Sequence, residues 1–313
     1  MTLPLIYTQK PLLDRISALL WYTLPLESDE DILKTIRGSN PQGFNEEMFE
    51  KDFYLTVILH FLSEALPEIT FKGWTCLNKV YFPYFRLSED LDFMMCSIDP
   101  LVESTSKRQD FAQKMRSTMR NIVATLGREL NTEEEQHKKA LGHKNLKTKK
   151  YTYLKYLLTY PSLINWASQH IKIELTYTEK QYFPAHQGKI QSLFIDPFFE
   201  KPLFPEQTIR CLALEEMMSE KIRACLSRRI PAIRDFFDVR YVRQQGVDIL
   251  ALKPIIEEKL KENESWNTID DQLEVLQSQI TNDLNPMLWI TETPFDLKEI
   301  YDFILSIQAS IIN

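Results

Sequence analysis

The sequence has few of the residues and patterns that mark several protein classes. Its 313 residues include only 4 Cys and 7 Gly. The few cysteines exclude a disulfide scaffold, and the few glycines exclude a collagen-like or glycine-rich linker protein. No stretch approaches the run of about 18 apolar residues that a membrane-spanning helix needs. The net charge of −7 argues against binding nucleic acid over the whole surface, so a polyanion would have to bind a local patch.

The histidines and cysteines form no recognisable metal-binding motif. The five histidines lack H-x-x-x-H spacing, which gives little support to a zinc hydrolase. The cysteines, which lie in apolar stretches without C-x-x-C pairing, are predicted to be reduced core residues: Cys76, Cys96, Cys211 and Cys225. The N-terminus lacks the basic start, apolar region and cleavage site of a secretory signal. We therefore predict a cytoplasmic protein without a membrane segment.

The remaining composition is that of a globular protein, with 44% hydrophobic and 26% charged residues. Helical spacing of apolar residues predicts helices at 10–22, 46–66, 76–82, 106–130, 212–229, 232–244, 249–262, 267–280 and 295–309. Alternating or β-rich runs predict strands at 69–75, broken by Gly73, and at 91–96, 151–158 and 171–177. Pro202 and Pro205 place the domain boundary, which gives an N-terminal domain at 1–205 and a helical C-terminal domain at 206–313.

Residues 131–150 are rich in charge, with three glutamates followed by six lysines. Such a run is usually a solvated loop. The alternative is a segment that follows an RNA backbone while Tyr151 and Tyr153 stack on bases.

The first motif that carries chemistry is Gly73-Trp74-Thr75. A glycine directly after a predicted strand lets backbone amides approach a phosphate. The threonine then begins the next helix, near its positive N-terminal end. Alone the motif is weak evidence for a nucleotide-binding turn.

The second motif is Asp90-Leu91-Asp92. Its two carboxylates are two residues apart, so on a strand they project from the same face and can share hard divalent cations. A lone Asp-x-Asp is more often a solvated turn or strand edge. Following the glycine turn in this order, however, it favours a site for a triphosphate with Mg²⁺ or Mn²⁺.

With these motifs the sequence resembles the AbiEii/AbiGii family of nucleotidyltransferase toxins, within the DNA polymerase β-like nucleotidyltransferase superfamily. The matching residues follow the family's order over about 165 residues: Gly73-Trp74-Thr75-x-Leu77, Arg86-x-Ser88-x-Asp90-x-Asp92-Phe93, Glu220-Lys221-Ile222-x-Ala224 and Arg234-Asp235-x-Phe237-Asp238. The family usually has a second small residue where Trp74 stands.

The resemblance implies an α+β fold, with a mixed-sheet nucleotidyltransferase core flanked by helices and a mainly helical C-terminal domain that completes the active site. It implies Mg²⁺-dependent transfer of a nucleoside monophosphate from an NTP to a hydroxyl at an RNA (tRNA) 3′ end. The setting would be a type IV-like toxin–antitoxin or abortive-infection system, with a possible cognate antitoxin as partner.

The resemblance also implies roles for individual residues. Asp90 and Asp92 would hold the metal ions, and Glu174 is the candidate for a third acidic ligand on a neighbouring strand. The nucleotide would be bound by Gly73, Thr75, Arg86, Ser88 and Lys221.

The pattern of the residues leaves alternatives for several of these roles. Lys221 lies on the apolar face of its predicted helix, so its ammonium needs an anion. Pro231 favours a tight connection to an antiparallel helix that carries Asp235 and Asp238. The lysine can therefore form a structural salt bridge, or bind phosphate while the aspartates hold it in position. Ser88 can be a turn hydroxyl or a phosphate ligand.

Arg86 likewise has two possible partners, the triphosphate or Glu89.

Two other functions also fit the sequence. One is an inactive nucleotidyltransferase-fold module that binds RNA or protein, and the other is phosphate transfer to a protein hydroxyl.

Overall fold

The computed structural model describes residues 24, 26–41, 43–95, 110–111, 113–120, 153–176, 181–263, 269, 272–288 and 295–312. The predicted helix at 10–22, the segment 131–150, Tyr151 and Cys96 lie outside these residues. The chain divides into two compact units, Met1–Gln181 with Ala185–Cys211, and Tyr182–Pro184 with Leu212–Asn313. The domain boundary at residues 205 and 206 stays a prediction.

A six-stranded mixed sheet forms the centre of the first unit. Its strands are β1 (Ile69–Lys72), β2 (Asp90–Met95), β3 (Tyr153–Pro161), β4 (Ser168–Thr176), β5 (His186–Lys189) and β6 (Thr208–Cys211). They lie in the order β3-β4-β2-β1-β6-β5. The pairs β2–β4 and β1–β6 are parallel and the other neighbours are antiparallel. This mixed sheet confirms the predicted α+β class.

Strands β1 to β4 were predicted, with bounds shifted by up to three residues, whereas β5 and β6 were not. Four residues are too few to establish an alternating pattern, and β5 contains His186, Gln187 and Gly188 in place of β-branched residues. These strands depend on pairing with each other and with β1 through Cys211, which lies opposite Phe71.

Two helices precede β1. Helix α1 (Asp29–Gly38) was not predicted, although Ser28 caps it by accepting a hydrogen bond from the Asp31 amide at 3.2 Å. Helix α2 (Glu46–Ala65) confirms the prediction at 46–66 and is capped by Asn45. The described part of the predicted helix at 106–130, residues 110–111 and 113–120, is also helical.

A short helix follows β1 and carries the glycine turn. Helix α3 (Gly73–Cys76) continues as a π-helical turn at Leu77–Tyr81. The sequence predicted this helix from residue 76, so the structure begins it three residues earlier. Gly73 has a φ of +73°, a conformation that glycine adopts without steric cost, and this lets the chain turn directly from strand to helix.

Buried and partly exposed residues alternate over residues 90–93 of β2 and 171–176 of β4. Leu91 and Phe93 of β2, and Ile173 and Leu175 of β4, are completely buried. The intervening positions hold acidic and basic side chains on the opposite face. One face of the sheet therefore belongs to the core and the other carries charge.

The second unit is helical in its described parts. Its helices are α4 (Leu214–Ser227), α5 (Ile233–Gln244), α6 (Lys253–Asn263), α7 (Leu273–Gln279) and α8 (Leu297–Ile312). Each overlaps a predicted helix. Glu216 of α4 fixes the segment Tyr182–Pro184 to this unit, because its carboxylate accepts from the Tyr182 and Phe183 amides at 2.7 and 3.0 Å.

Cys76, Cys211 and Cys225 are buried, free thiols, as predicted. Among the described residues, no helix has both the length and the apolar character to cross a membrane.

A completely buried lysine joins α2 to the segment after α3. The ammonium of Lys79 lies 3.0 Å from Asp52 and donates to Thr56 and Tyr84 at 2.8 and 2.6 Å. Burial lowers the pKa of Lys79, and the Asp52 charge opposes that shift. The Tyr84 hydroxyl in turn donates to the Gln191 carbonyl at 3.2 Å.

We expect Lys79→Met to destabilise the protein by about 3–5 kcal/mol, because it leaves the Asp52 carboxylate buried without its cation. Urea unfolding would measure the loss. The double variant Lys79→Met/Asp52→Leu should recover much of it. The control Lys189→Met removes an exposed lysine that pairs with Glu206 and should change stability by less than about 0.5 kcal/mol. A stable Lys79→Met protein would contradict the structural role.

Candidate active site

Strand register brings the predicted acidic residues together on the charged face of the sheet. Asp92 on β2 lies opposite Glu174 on β4, and Asp90 lies opposite Lys172. On the other side of β2, Asp92 lies opposite Lys72 of β1. Asp90 and Asp92 of β2 and Glu174, more than 80 residues further along the chain, therefore occupy neighbouring positions on the sheet.

The glycine turn packs directly against Asp92. A Cβ atom added to Gly73 would lie 2.5 Å from Asp92 Oδ2, closer than real contacts allow. The position thus requires glycine for two reasons, the positive φ and this close approach. The backbone that begins α3 is held beside the carboxylate.

Thr75 and Ser88 fix the start of β2. The Thr75 hydroxyl donates to the Asp90 carbonyl at 2.5 Å and lies 2.6 Å from the Ser88 hydroxyl. Ser88 Oγ is also 3.4 Å from Asp90 Oδ1. Both hydroxyls are buried and engaged by protein groups, so in this structure they position Asp90. Their predicted contact with phosphate stays a prediction.

The charge on this face is incompletely compensated at Asp92. Burial, followed by the neighbouring Asp90 carboxylate, raises the pKa of Asp92 to about 7, against the opposing effect of Lys72. Glu174 raises it further. A nearby cation would stabilise the ionised form of this carboxyl group and lower its pKa.

Lys172 supplies a cation to the other two carboxylates. Its ammonium lies 3.1 Å from Asp90 Oδ2 and 3.5 Å from Glu174 Oε1. Although burial opposes the shift, the Asp90 and Glu174 charges raise the pKa of Lys172. The lysine is therefore firmly protonated at neutral pH.

The donor set fits a hard divalent cation, but the side-chain arrangement does not yet form a coordination site. Carboxylate oxygens are the ligands that Mg²⁺ prefers, and the excess charge at Asp92 favours such an ion. In the parts of the chain that the structure describes, no three His, Cys, Asp or Glu side chains are arranged to hold a metal ion. The Lys172 ammonium is bound to two of the three candidate ligands.

Arg86 and Trp74 pack together beside the turn. The Arg86 guanidinium lies 3.8 Å from the centroid of the Trp74 ring and donates to the Leu87 carbonyl at 2.9 Å. Phe85 packs edge-on against Trp74, with ring centroids 4.6 Å apart. The large side chain is thus accommodated in the interior at 4% exposure. The phosphate contact of Arg86 stays a prediction.

The second unit holds the other predicted cluster. The Lys221 ammonium of α4 lies 2.7 Å from Asp235 Oδ1 and 3.2 Å from Asp238 Oδ2, both on α5. Arg228 contacts the other oxygen of Asp235 at 3.2 Å. Both aspartates are buried, whereas the Lys221 side chain is 17% exposed. The geometry fits both a structural ion pair and a lysine held in position by two anions.

Sequence reasoning missed three basic residues of these clusters, Lys72, Lys172 and Arg228. The alternation Ile171-Lys172-Ile173-Glu174 contains the signal for Lys172, since it puts the lysine and Glu174 on the same face. Lys72 and Arg228 have no such signal, because their proximity to the acids depends on strand and helix pairing.

Residues 60–302 match the sequence model of a protein family described as nucleotidyl transferase AbiEii toxin, type IV TA system. The match covers most of the chain. A comparison with curated proteins finds no match.

Two solved structures are similar to the chain. JHP933 from Helicobacter pylori has a TM-score of 0.47 and 16% sequence identity, covering 86% of this chain and 93% of its own. A second H. pylori protein, provisionally assigned as a nucleotidyltransferase, has a TM-score of 0.44 and 15% identity. That alignment covers 91% of this chain and 96% of the other.

Gly73→Ala should destabilise the protein by more than the roughly 1–2 kcal/mol that a left-handed backbone conformation costs a residue with a Cβ. The added atom would also collide with the Asp92 carboxylate. Urea unfolding against Gly246→Ala isolates the collision, because Gly246 has a φ of +87° and open space around it. Equal losses in the two variants would contradict the close approach.

Asp92→Asn should stabilise the metal-free protein progressively as the pH rises. The pKa of Asp92 is about 7 in the folded protein and ordinarily 3.8, so the folded state retains a proton between these pH values and loses stability as the pH rises towards 7. Asparagine removes this dependence. Thermal unfolding in EDTA should show the advantage of Asp92→Asn growing from pH 5 to pH 7 and then levelling off.

The control for this pH series is Asp302→Asn, which changes an exposed carboxylate on α8 that pairs with Lys298. It should give a small difference. An Asp92→Asn difference that is constant with pH would contradict the raised pKa.

Proposed function

The chain belongs to the AbiEii family of nucleotidyltransferase toxins, and from this premise we propose that it transfers a nucleoside monophosphate from an NTP to an RNA 3′ hydroxyl, with tRNA as the acceptor class. The observation that carries the proposal is the adjacency of Asp90, Asp92 and Glu174 on one face of the sheet, with the Gly73 turn packed against Asp92.

In this proposal Asp90, Asp92 and Glu174 hold Mg²⁺, or Mn²⁺ in its place. When bound, such ions stabilise charge on the attacking and leaving oxygens of an in-line phosphoryl displacement. Thr75 and Ser88 maintain the position of Asp90 through their hydroxyls. Lys72 holds a fixed positive charge opposite Asp92.

The reaction forms one bond and breaks one. The acceptor oxygen attacks the α-phosphorus, the bond to the bridging oxygen breaks, and pyrophosphate leaves. In this proposal Glu174, whose strand lies on the side of β2 away from β1 and the Gly73 turn, accepts a hydrogen bond from the attacking hydroxyl. The hydroxyl proton passes from there to water.

The backbone amides that follow Gly73 are the proposed ligands of the triphosphate. Thr75, Ser88 and Arg86 are the proposed side-chain ligands. Lys221, in the helical unit, stays a predicted phosphate ligand. Its two aspartates restrict the ammonium to one place, which suits a fixed charge that stabilises a transition state. A net charge of −7 requires RNA to bind such local positive charges.

The family is described as a toxin of a type IV toxin–antitoxin system, and we assign the proposed activity to such a system. A cognate antitoxin and a cytoplasmic location belong to the same proposal.

The test is to incubate the purified protein with each labelled NTP, Mg²⁺ and total bacterial RNA. We expect one NTP to label an RNA the size of tRNA. Asp90→Ala/Asp92→Ala should lower incorporation by at least about 10³-fold, because these carboxylates are the proposed ligands of the metal ions that stabilise the transferred phosphate. Asp302→Ala, which changes an exposed carboxylate on α8, is the matched control and should be fully active.

The outcomes separate the possible reactions. Label in RNA together with released pyrophosphate supports nucleotidyl transfer. Label that enters protein, with release of a nucleoside diphosphate, would indicate phosphate transfer to a protein hydroxyl. Turnover by Asp90→Ala/Asp92→Ala equal to that of the wild type, in protein shown to be folded, would refute the assigned site.

A further inference from the structure

We propose that Lys172 is the built-in counter-ion of the metal-free site, and that a divalent cation can bind only when the Lys172 ammonium leaves the carboxylates. The inference rests on the proposed metal site at Asp90, Asp92 and Glu174. It adds a residue that sets how strongly the site binds its metal.

The contacts of Lys172 place its charge between two strands. It lies on β4, opposite Asp90 of β2 and two residues before Glu174. Its ammonium is 3.1 Å from Asp90 Oδ2 and 3.5 Å from Glu174 Oε1. One monovalent cation thus contacts two of the three acidic side chains that the metal would need.

The same contacts explain why the carboxylates tolerate each other without metal. Like charges on adjacent strands repel, and a cation between them offsets the repulsion. A metal ion and an ammonium cannot both contact the same carboxylate oxygens, since the two cations would then lie a few ångströms apart and repel each other. The two cations therefore compete for the carboxylates.

Lys172 has the freedom that this exchange requires. Its side chain is 35% exposed, so the ammonium can move into water while the aliphatic part stays on the sheet. Lys72, on the other side of Asp92, is 9% exposed and has no comparable route. Lys79 is completely buried among Asp52, Thr56 and Tyr84, where it serves the fold.

The test measures binding of Mn²⁺ alone, without nucleotide, by the loss of the electron paramagnetic resonance signal of the free ion. Lys172→Met should bind Mn²⁺ about 10-fold more tightly than the wild type, because it removes a positive charge within a few ångströms of the ion. Lys172→Arg keeps the charge and should stay close to the wild type.

Lys189→Met is the control for net charge. It removes one lysine that is 60% exposed and pairs with Glu206. Lys189 lies on the edge strand β5, which β2, β1 and β6 separate from β4 and Lys172. It should bind Mn²⁺ as the wild type does. Circular dichroism would establish that each variant is folded.

Thermal unfolding gives a second readout. Without metal, Lys172→Met should melt below the wild type because its carboxylates have lost their counter-ion. The same excess of Mn²⁺ should raise its melting temperature by more than that of the wild type, since the stabilisation by a ligand of the folded state grows with the logarithm of its concentration divided by its Kd.

The outcomes distinguish this inference from the proposed function. Equal or weaker Mn²⁺ binding by folded Lys172→Met would overturn the role of Lys172 while leaving the metal site standing. Mn²⁺ affinity that is unchanged in Asp92→Asn would instead refute the metal site itself.

Discussion

The in-register pairing of β2 with β1 and β4 concentrates negative charge on one face of the sheet, and much of the surrounding structure compensates for that charge. Asp92 lies between Lys72 and Glu174, and Asp90 lies opposite Lys172. The Gly73 turn then brings backbone to within contact of Asp92. Hydrogen bonds within the protein hold these groups in place, so the charge is built into the fold before any ligand binds.

Three lysines with carboxylate partners differ in how far their side chains are exposed to solvent. Lys79 is completely buried with partners on every side, and it joins two helical segments. Lys221 and Lys172 have side chains that are 17% and 35% exposed, and each contacts two carboxylates. The partly exposed side chain of Lys172 gives its ammonium a route into water, as the proposed exchange requires, whereas Lys79 cannot leave its partners without unfolding its surroundings.

The sequence predicted the longer elements well because their periodicity is strong. Helix α2 and strands β2 and β4 contain enough alternating or helically spaced apolar residues to identify them. The four-residue strands β5 and β6 carry too little pattern. Helix α1 was missed despite its Ser28 cap, and α3 begins at Gly73 because a positive φ permits an abrupt change from strand to helix.

By itself the sequence determined the chemistry available: two aspartates on one strand face, an acidic residue on a second alternating strand, a glycine turn, and the motifs of the AbiEii family. Local spacing decides such features, since residues two apart on a strand share a face wherever the strand lies. Only the tertiary structure decided which charges meet. The contacts of Lys172 with Asp90 and Glu174, and of Arg228 with Asp235, depend on strand register and helix packing, which join residues distant in the chain.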